Sequence, residues 1–334
     1  MKVFVPDRIG VQLAGTGAYL PADVRTNADL IARGCPLTDE EIVRLSGIRT
    51  RHVAAPHEAT SDLATEAATR AMTTAGVTAS QIDRLILGTV SPDHLTPSTA
   101  CFVHARLGLG PIPAFDLTAS CSAFLFALEN AARAIATGDS CVLAVAADVR
   151  SRWLNPADRA TSALFGDGAG AAVLRAGPLG QGLLGVGLAV DSAGVKSVYV
   201  PAGGSREPST AETVAAGRHT IVMSEGPQVY LAAVEGMVET GVSLLKALGK
   251  TFDDVDLIVP HQPNRRILDR LARVGRFAPE KLFINVERIG NVSGATCAIA
   301  LDEALRTGAA KPGMRVLLIA AGAGYTAGAA LLQL

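Results

Sequence analysis

The chain repeats itself, and that limits its folding more than any other feature. Gln81-Ile82-Asp83-Arg84-Leu85-Ile86-Leu87 is echoed by Asp254-Val255-Asp256-Leu257-Ile258-Val259. Ala127-Leu128-Glu129, Arg133 and Thr137-Gly138 return as Ala300-Leu301-Asp302, Arg306 and Thr307-Gly308. Val142-Leu143-Ala144-Val145-Ala146-Ala147 returns as Val316-Leu317-Leu318-Ile319-Ala320-Ala321. The elements come in the same order both times, strands alternating with helices. That pattern indicates duplication of one α/β unit, and the halves are expected to be residues 1–178 and 179–334. In register, Cys121 and the turn Asn291–Ser293 take equivalent places, each opening the helix before the final shared strand. If the halves pack as pseudo-twofold mates, those helix starts converge. His261, ending the strand Val255–His261, then lies near the same centre.

At 334 residues, 49% of them hydrophobic and 18% charged, the chain can bury a large core. The net charge of −1 gives no bulk attraction for nucleic acid. The cysteines at 35, 101, 121, 141 and 297 show no C-x-x-C pair and no zinc spacing, so no metal is expected and a reducing cytoplasm is. The first ten residues lack a signal-peptide core, and no apolar run reaches the roughly 20 residues that span a bilayer.

Within the first half, Ile112–Leu117 reads as a short strand and Phe124–Arg133 as a helix with apolar residues at helical spacing. Cys121 lies between them among small neighbours. A sulfur at a helix N-terminus meets free N–H groups and the positive end of the dipole, which favour thiolate. A buried structural cysteine is the plainer alternative. Helices are expected at 27–34, 38–46, 62–75 with Ser61 as N-cap, 97–107 with Pro97 in its first turn, 264–274, and from Pro227 to Ala247. The glycine-rich run 163–174 reads as a sharp turn into a strand. Residues 191–225 read as a long irregular loop. The basic cluster Gly47–His52 is either a solvated face or a contact for an acidic partner.

Taken together, these stretches resemble the β-ketoacyl-acyl-carrier-protein synthase III family of the thiolase superfamily. The resemblance rests on Gly15–Pro21, Arg25-Thr26-Asn27, Ser46–Arg49, the Cys121 turn, Phe165–Ala171, His261–Asn264, Gly290-Asn291 and Gly322–Thr326, in family order along nearly the whole chain. It implies an α/β, thiolase-like, five-layer αβαβα fold of two duplicated halves, in a cytoplasmic homodimer. It implies a Cys121–His261–Asn291 triad and an oxyanion hole from the N–H groups of Cys121 and Gly324. Cys121 would take an acyl group from a thioester of coenzyme A or acyl carrier protein. His261 and Asn291 would stabilise the enolate left when a malonyl thioester loses carbon dioxide, with no metal or redox cofactor. Singly, His261 could be a strand-end histidine and Asn291 a helix cap.

Three positions depart from the family pattern. Glu41 stands where well-known bacterial members place a tryptophan on the coenzyme A adenine, opposite an arginine matching Arg159. Carrier-protein donors are therefore favoured over free coenzyme A. Thr96 stands where a phenylalanine closes short acyl pockets across the dimer, so a longer or branched acyl group is expected. Pro263 stands where alanine is usual, beside Asn264, a pantetheine contact by resemblance. Arg266 matches a carrier-docking arginine, with Arg265 and Arg273 near it; a solvated helix face is the alternative for all three. The competing activity is acyl transfer from Cys121 to an alcohol or amine, with His261 as general base and no loss of carbon dioxide.

Overall fold

A computed structural model describes residues 1–334. Its main strands form one hydrogen-bonded series that divides into two parts of matching order. The first runs Ala114–Leu117, Arg84–Gly88, Cys141–Val149, Asp167–Gly177, Gly10–Tyr19, and the second Leu257–Pro260, Arg315–Gly322, Thr326–Gln333, Gly182–Val190. A bridge from Ile258 to Leu282 stands where the first part has Ala114–Leu117. Between the parts, one residue pair, Val11 with Gly182, joins Gly10–Tyr19 to Gly182–Val190. The short strand Lys2–Phe4 crosses this division and pairs antiparallel with residues 186–188.

Side chains alternate along each strand, and both faces are covered. Leu143, Val145 and Ala147 face the helices Thr60–Ala75 and Thr99–Leu107, whereas Val142, Ala144 and Ala146 face inward. Leu317 and Ile319 likewise face Gly226–Ala247 and Arg265–Gly275, whereas Val316 and Leu318 face inward. Two helices fill the space between the sheets, Ala123–Ala136 and Thr296–Arg306. The layers are therefore αβαβα, as expected, and double burial explains why all nine residues of Cys141–Val149 are inaccessible. The glycine-rich run serves this packing: a Cβ on Gly170 would lie 2.4 Å from that of Ala298 in the second central helix.

Several local expectations need correction. Ala59, not Ser61, precedes the helix Thr60–Ala75; the Asp62 carboxylate accepts from the Ala59 N–H at 2.7 Å. Ser61 instead donates to Asp93 at 2.5 Å. The next helix starts at Thr99, beyond Pro97, because the Asp116 carboxylate accepts from the Thr99 and Ala100 N–H groups. Arg51 in the basic cluster is buried and donates to the carbonyls of Ala163 and Arg25, so that part of the cluster is neither solvated nor a contact surface. The strand Gly182–Val190 has its apolar run broken by glycines at 182, 185 and 187. The stretch 191–225 holds a helix, Ala211–Ala215, and a two-residue ribbon between Val198–Tyr199 and Val222–Met223. No helix is long and apolar enough to cross a membrane.

Candidate active site

The two central helices are each preceded by one tight turn, Ser120–Ser122 and Ser293–Ala295. Ser120 and Ser293 both have φ of 49°, a left-handed conformation uncommon outside glycine. The turns meet: Cys121 Sγ lies 3.9 Å from Ser293 Oγ. The first half reaches across through Asp148, whose carboxylate accepts from the Gly294 N–H at 3.0 Å. The second half reaches back through Gly322, where a Cβ would sit 2.6 Å from the Cys121 nitrogen. Only glycine leaves that space for the cysteine turn.

Cys121, His261 and Asn291 all line one cavity of about 750 Å³. His261 is buried at the end of its strand, its Nδ1 2.6 Å from Thr296 Oγ1. Asn291 Oδ1 accepts from the Ser293 N–H at 2.8 Å, which leaves its amide NH₂ free to donate into the cavity. Its backbone is pinned to the Phe165 segment through Gly166 N–H and Leu164 C=O. Burial holds His261 down to about 3, so the ring is neutral at physiological pH. Burial pushes the Cys121 thiol up to about 11, with the Arg150 guanidinium opposing it. The helix N-terminus acts in the same sense as Arg150, but desolvation outweighs the thiolate-favouring features expected from sequence.

The other expected residues fall in different places. Asn264 lines the cavity and caps the following helix, its Oδ1 accepting from the Ile267 N–H at 2.9 Å. Gly324 lies in the turn after Gly322 with φ of 134°, and its neighbours Ala323 and Tyr325 line the cavity. Arg159 lies outside the wall, its Nη2 2.6 Å from Glu41 Oε1. Thr96 is exposed beside Leu95, away from the cavity. Arg265 is held by Asp269 at 2.8 Å and Glu287 at 2.6 Å, while Arg266 lies over the Tyr230 ring and Arg273 is exposed. Two residues at the site carry no expectation from sequence. Thr296 hydrogen-bonds His261, and Arg150, only 8% exposed, lines the cavity with Cys121. A charge directly after nine buried strand residues was the signal for Arg150, because ligands in α/β sheets gather at the carboxyl ends of strands.

Known proteins match this chain over almost its whole length. Family models for 3-oxoacyl-[acyl-carrier-protein] synthase III match residues 115–192 and, for its C-terminal domain, 245–334. A thiolase N-terminal domain model matches residues 44–149. The chain is 43% identical over 321 residues to the β-ketoacyl-[acyl-carrier-protein] synthase III of Caldanaerobacter subterraneus subsp. tengcongensis, covering 96% of both chains. Its structure resembles the 3-oxoacyl-[acyl-carrier-protein] synthase III of Aquifex aeolicus, with a TM-score of 0.88 and 34% identity over 97% of this chain and all of the other. It also resembles the priming β-ketosynthase of the R1128 polyketide pathway, with a TM-score of 0.89 and 33% identity over 99% and 98% of the two chains. With two matching halves packed in five layers and this identity over almost its full length, the chain belongs to the 3-oxoacyl-[acyl-carrier-protein] synthase III family of thiolase-fold condensing enzymes.

Proposed function

We propose that the enzyme loads an acyl group onto Cys121 and condenses it with a malonyl thioester, priming a fatty acid or polyketide chain. The observation that carries this is the meeting of Cys121, His261 and Asn291 in one cavity from two helix starts and a strand end. In loading, the Cys121 sulfur attacks the thioester carbonyl, and the donor thiol departs with the Cys121 proton. The N–H groups of Cys121 and Gly324 hold the oxyanion. In condensation, His261 and Asn291 donate to the malonyl thioester oxygen as carbon dioxide leaves. The enolate carbon then attacks acyl-Cys121, and the sulfur leaves as the product forms. The halves divide at 178/179, the first carrying the nucleophile and the second the two donors.

Acyl transfer to an alcohol or amine is the second reading, and the two differ over one proton. The Thr296 hydroxyl reaches His261 Nδ1 at 2.6 Å and the Ser293 carbonyl at 3.0 Å. Donation to His261 puts the ring proton on Nε2, which then donates to an enolate oxygen. Donation to Ser293 leaves Nε2 as a base for an acceptor hydroxyl or amine. The Asn291 NH₂ is a donor in either case, and together with an Nε2–H it would give the enolate oxygen two donors, which favours condensation.

The Glu41–Arg159 pair replaces an aromatic face with a carboxylate and occupies the arginine, which favours a carrier-protein donor. Arg266 and Arg273 would receive an acidic carrier helix, with Arg265 already matched by two carboxylates. Thr96 would act on acyl length from the partner's side of a homodimer. To test the main reading, protein acylated at Cys121 is mixed with a malonyl-loaded carrier protein, and product mass and carbon dioxide are followed. Carbon dioxide with a β-ketoacyl carrier is expected. A stable acyl-enzyme without carbon dioxide would move the assignment to acyl transfer.

A further inference from the structure

Arg150 is the one lysine or arginine in the cavity wall, which also carries Asp191, Glu235 and Glu239, and the reaction above does not use it. Its Nε is buried without a hydrogen-bond partner, and the side chain takes part in no ion pair. The guanidinium is held between aromatic faces, 5.4 Å from the Trp153 ring centre and 5.3 Å from that of Phe165. The carboxylates nearest in charge are Asp148 and Asp167, and both are already engaged. Asp148 accepts from the N–H groups of Val90 and Gly294 and from the hydroxyls of Thr89 and Ser91. Asp167 accepts from the N–H groups of Ala54 and Ser151 and from the Ser151 hydroxyl. They offset the arginine's charge at longer range but leave its donors unfilled. A buried charge with empty donors is costly unless a ligand completes it, and the planar fork of arginine fits a carboxylate with two parallel hydrogen bonds.

We propose that Arg150 binds a carboxylate at the far end of the acyl group carried on Cys121, so that the preferred primer is the half-thioester of a dicarboxylic acid. This rests on the loading step proposed above and names its substrate class. The malonyl extender is the other substrate that brings a carboxylate into the same cavity. A guanidinium paired with that carboxylate would stabilise the ground state of a group that must leave as carbon dioxide, opposing the reaction. A carboxylate retained on the primer meets no such conflict. Loading is then ordinary thioester exchange: the bond from Cys121 sulfur to the acyl carbon forms, the donor's carbon–sulfur bond breaks, and the donor thiol takes the Cys121 proton. The distal carboxylate stays ionised on Arg150.

The test compares succinyl-pantetheine with 4-methylvaleryl-pantetheine, in which an isopropyl group replaces the carboxylate at the same length. The rate of acyl-Cys121 formation is read by intact mass on the full-length protein. Succinyl loading is expected to be faster by about tenfold or more, the range of a charge-assisted pair, and Arg150→Leu is expected to reverse the preference. Equal loading by the native protein, or a preference untouched in Arg150→Leu, would overturn the proposal. A second arm uses enzyme preloaded with a neutral acyl group. If Arg150→Leu loses malonyl decarboxylation there while loading shows no carboxylate preference, the carboxylate is the extender's and the primer assignment fails. Should Arg150→Leu fail to fold, protection of Cys121 from iodoacetamide by butyrate against butyramide, in the native protein, replaces it. Protection by butyrate alone supports the site; equal protection overturns it. Succinyl loading without carbon dioxide on adding malonyl carrier would keep the Arg150 site and remove the condensing reading.

Discussion

In the first half, the strand Arg84–Gly88 ends on Gly88 beneath Ala123, where a Cβ would come within 2.8 Å of the Ala123 methyl. In the second half, the strand Leu257–Pro260 runs on to His261 beneath Thr296, and the two side chains hydrogen-bond at 2.6 Å. Strand register makes these pairs equivalent, since Gly88 pairs with Ala146 and His261 donates to the Ile319 carbonyl in the corresponding strand. The same correspondence sets Ser120 against Ser293, Cys121 against Gly294, and Thr118 against Asn291. It also sets Asp148 against Gly322. In the proposed mechanism one half keeps the nucleophile and has small residues at the places of the donors, and the other keeps the donors and has glycine at the place of the nucleophile. A duplicated scaffold thus makes two copies of one strained turn, and the chemistry arises where they differ.

Replacing the nucleophile should have the largest effect on this division. Cys121→Ala is expected to abolish the acyl-enzyme seen by mass and to lower turnover by about 10³-fold or more. Removing the second half's proposed donors, by His261→Gly or Asn291→Ala, should leave loading within a few fold and lower condensation by about 10²- to 10³-fold each. The double variant should be little worse than either, because the two donors serve one oxyanion. If His261→Gly instead stops loading, the assignment of donors to the second step is wrong.

Gly294→Ala and Gly322→Ala sharpen the comparison of the turns. Both overpack a contact between halves, at 2.9 Å from the Ser120 carbonyl and 2.6 Å from the Cys121 nitrogen, and each should lower stability by about 1–3 kcal/mol in urea. Only Gly322→Ala should also slow acylation, since only it displaces Cys121. The smallest effect is in pH. The folded pKa of His261, about 3, is far below its unfolded value of 6.5. Its contribution is complete above pH 6.5 and falls away as pH drops towards 3, by about 2 kcal/mol at pH 5. The folded pKa of Cys121 is raised from 9.0 to about 11, so its contribution is complete below pH 9 and lost as pH rises towards 11. The acid limb of the urea midpoint should flatten in His261→Gly and the alkaline limb in Cys121→Ala.

Much of this was legible because the repeat is written in apolar runs. Strands buried on both faces hold continuous hydrophobic runs, such as Cys141–Ala147, and their matching order implied that Cys121, His261 and the Asn291 turn would converge. The strand Gly182–Val190 was not legible, because glycines at 182, 185 and 187 interrupt its pattern; they are there to let other chain segments approach, as Gly187 does for Met1. The helix start at Thr99 was hidden because its cap is Asp116, on a strand. The sequence signal at Arg150, a charge directly after a buried strand, was incomplete for a different reason. What marks it is the lack of a partner, and that depends on where Asp148 and Asp167 spend their own hydrogen bonds.

The pairing of Lys2–Phe4 with residues 186–188 sets a timetable. At about 5–20 residues per second, a ribosome needs roughly 10–40 s after making this strand before its partner exists. His261 and Asn291 come later still. Cys121 is synthesised well before the second-half residues that share its cavity, and that cavity closes around it only once the second half has folded against the first.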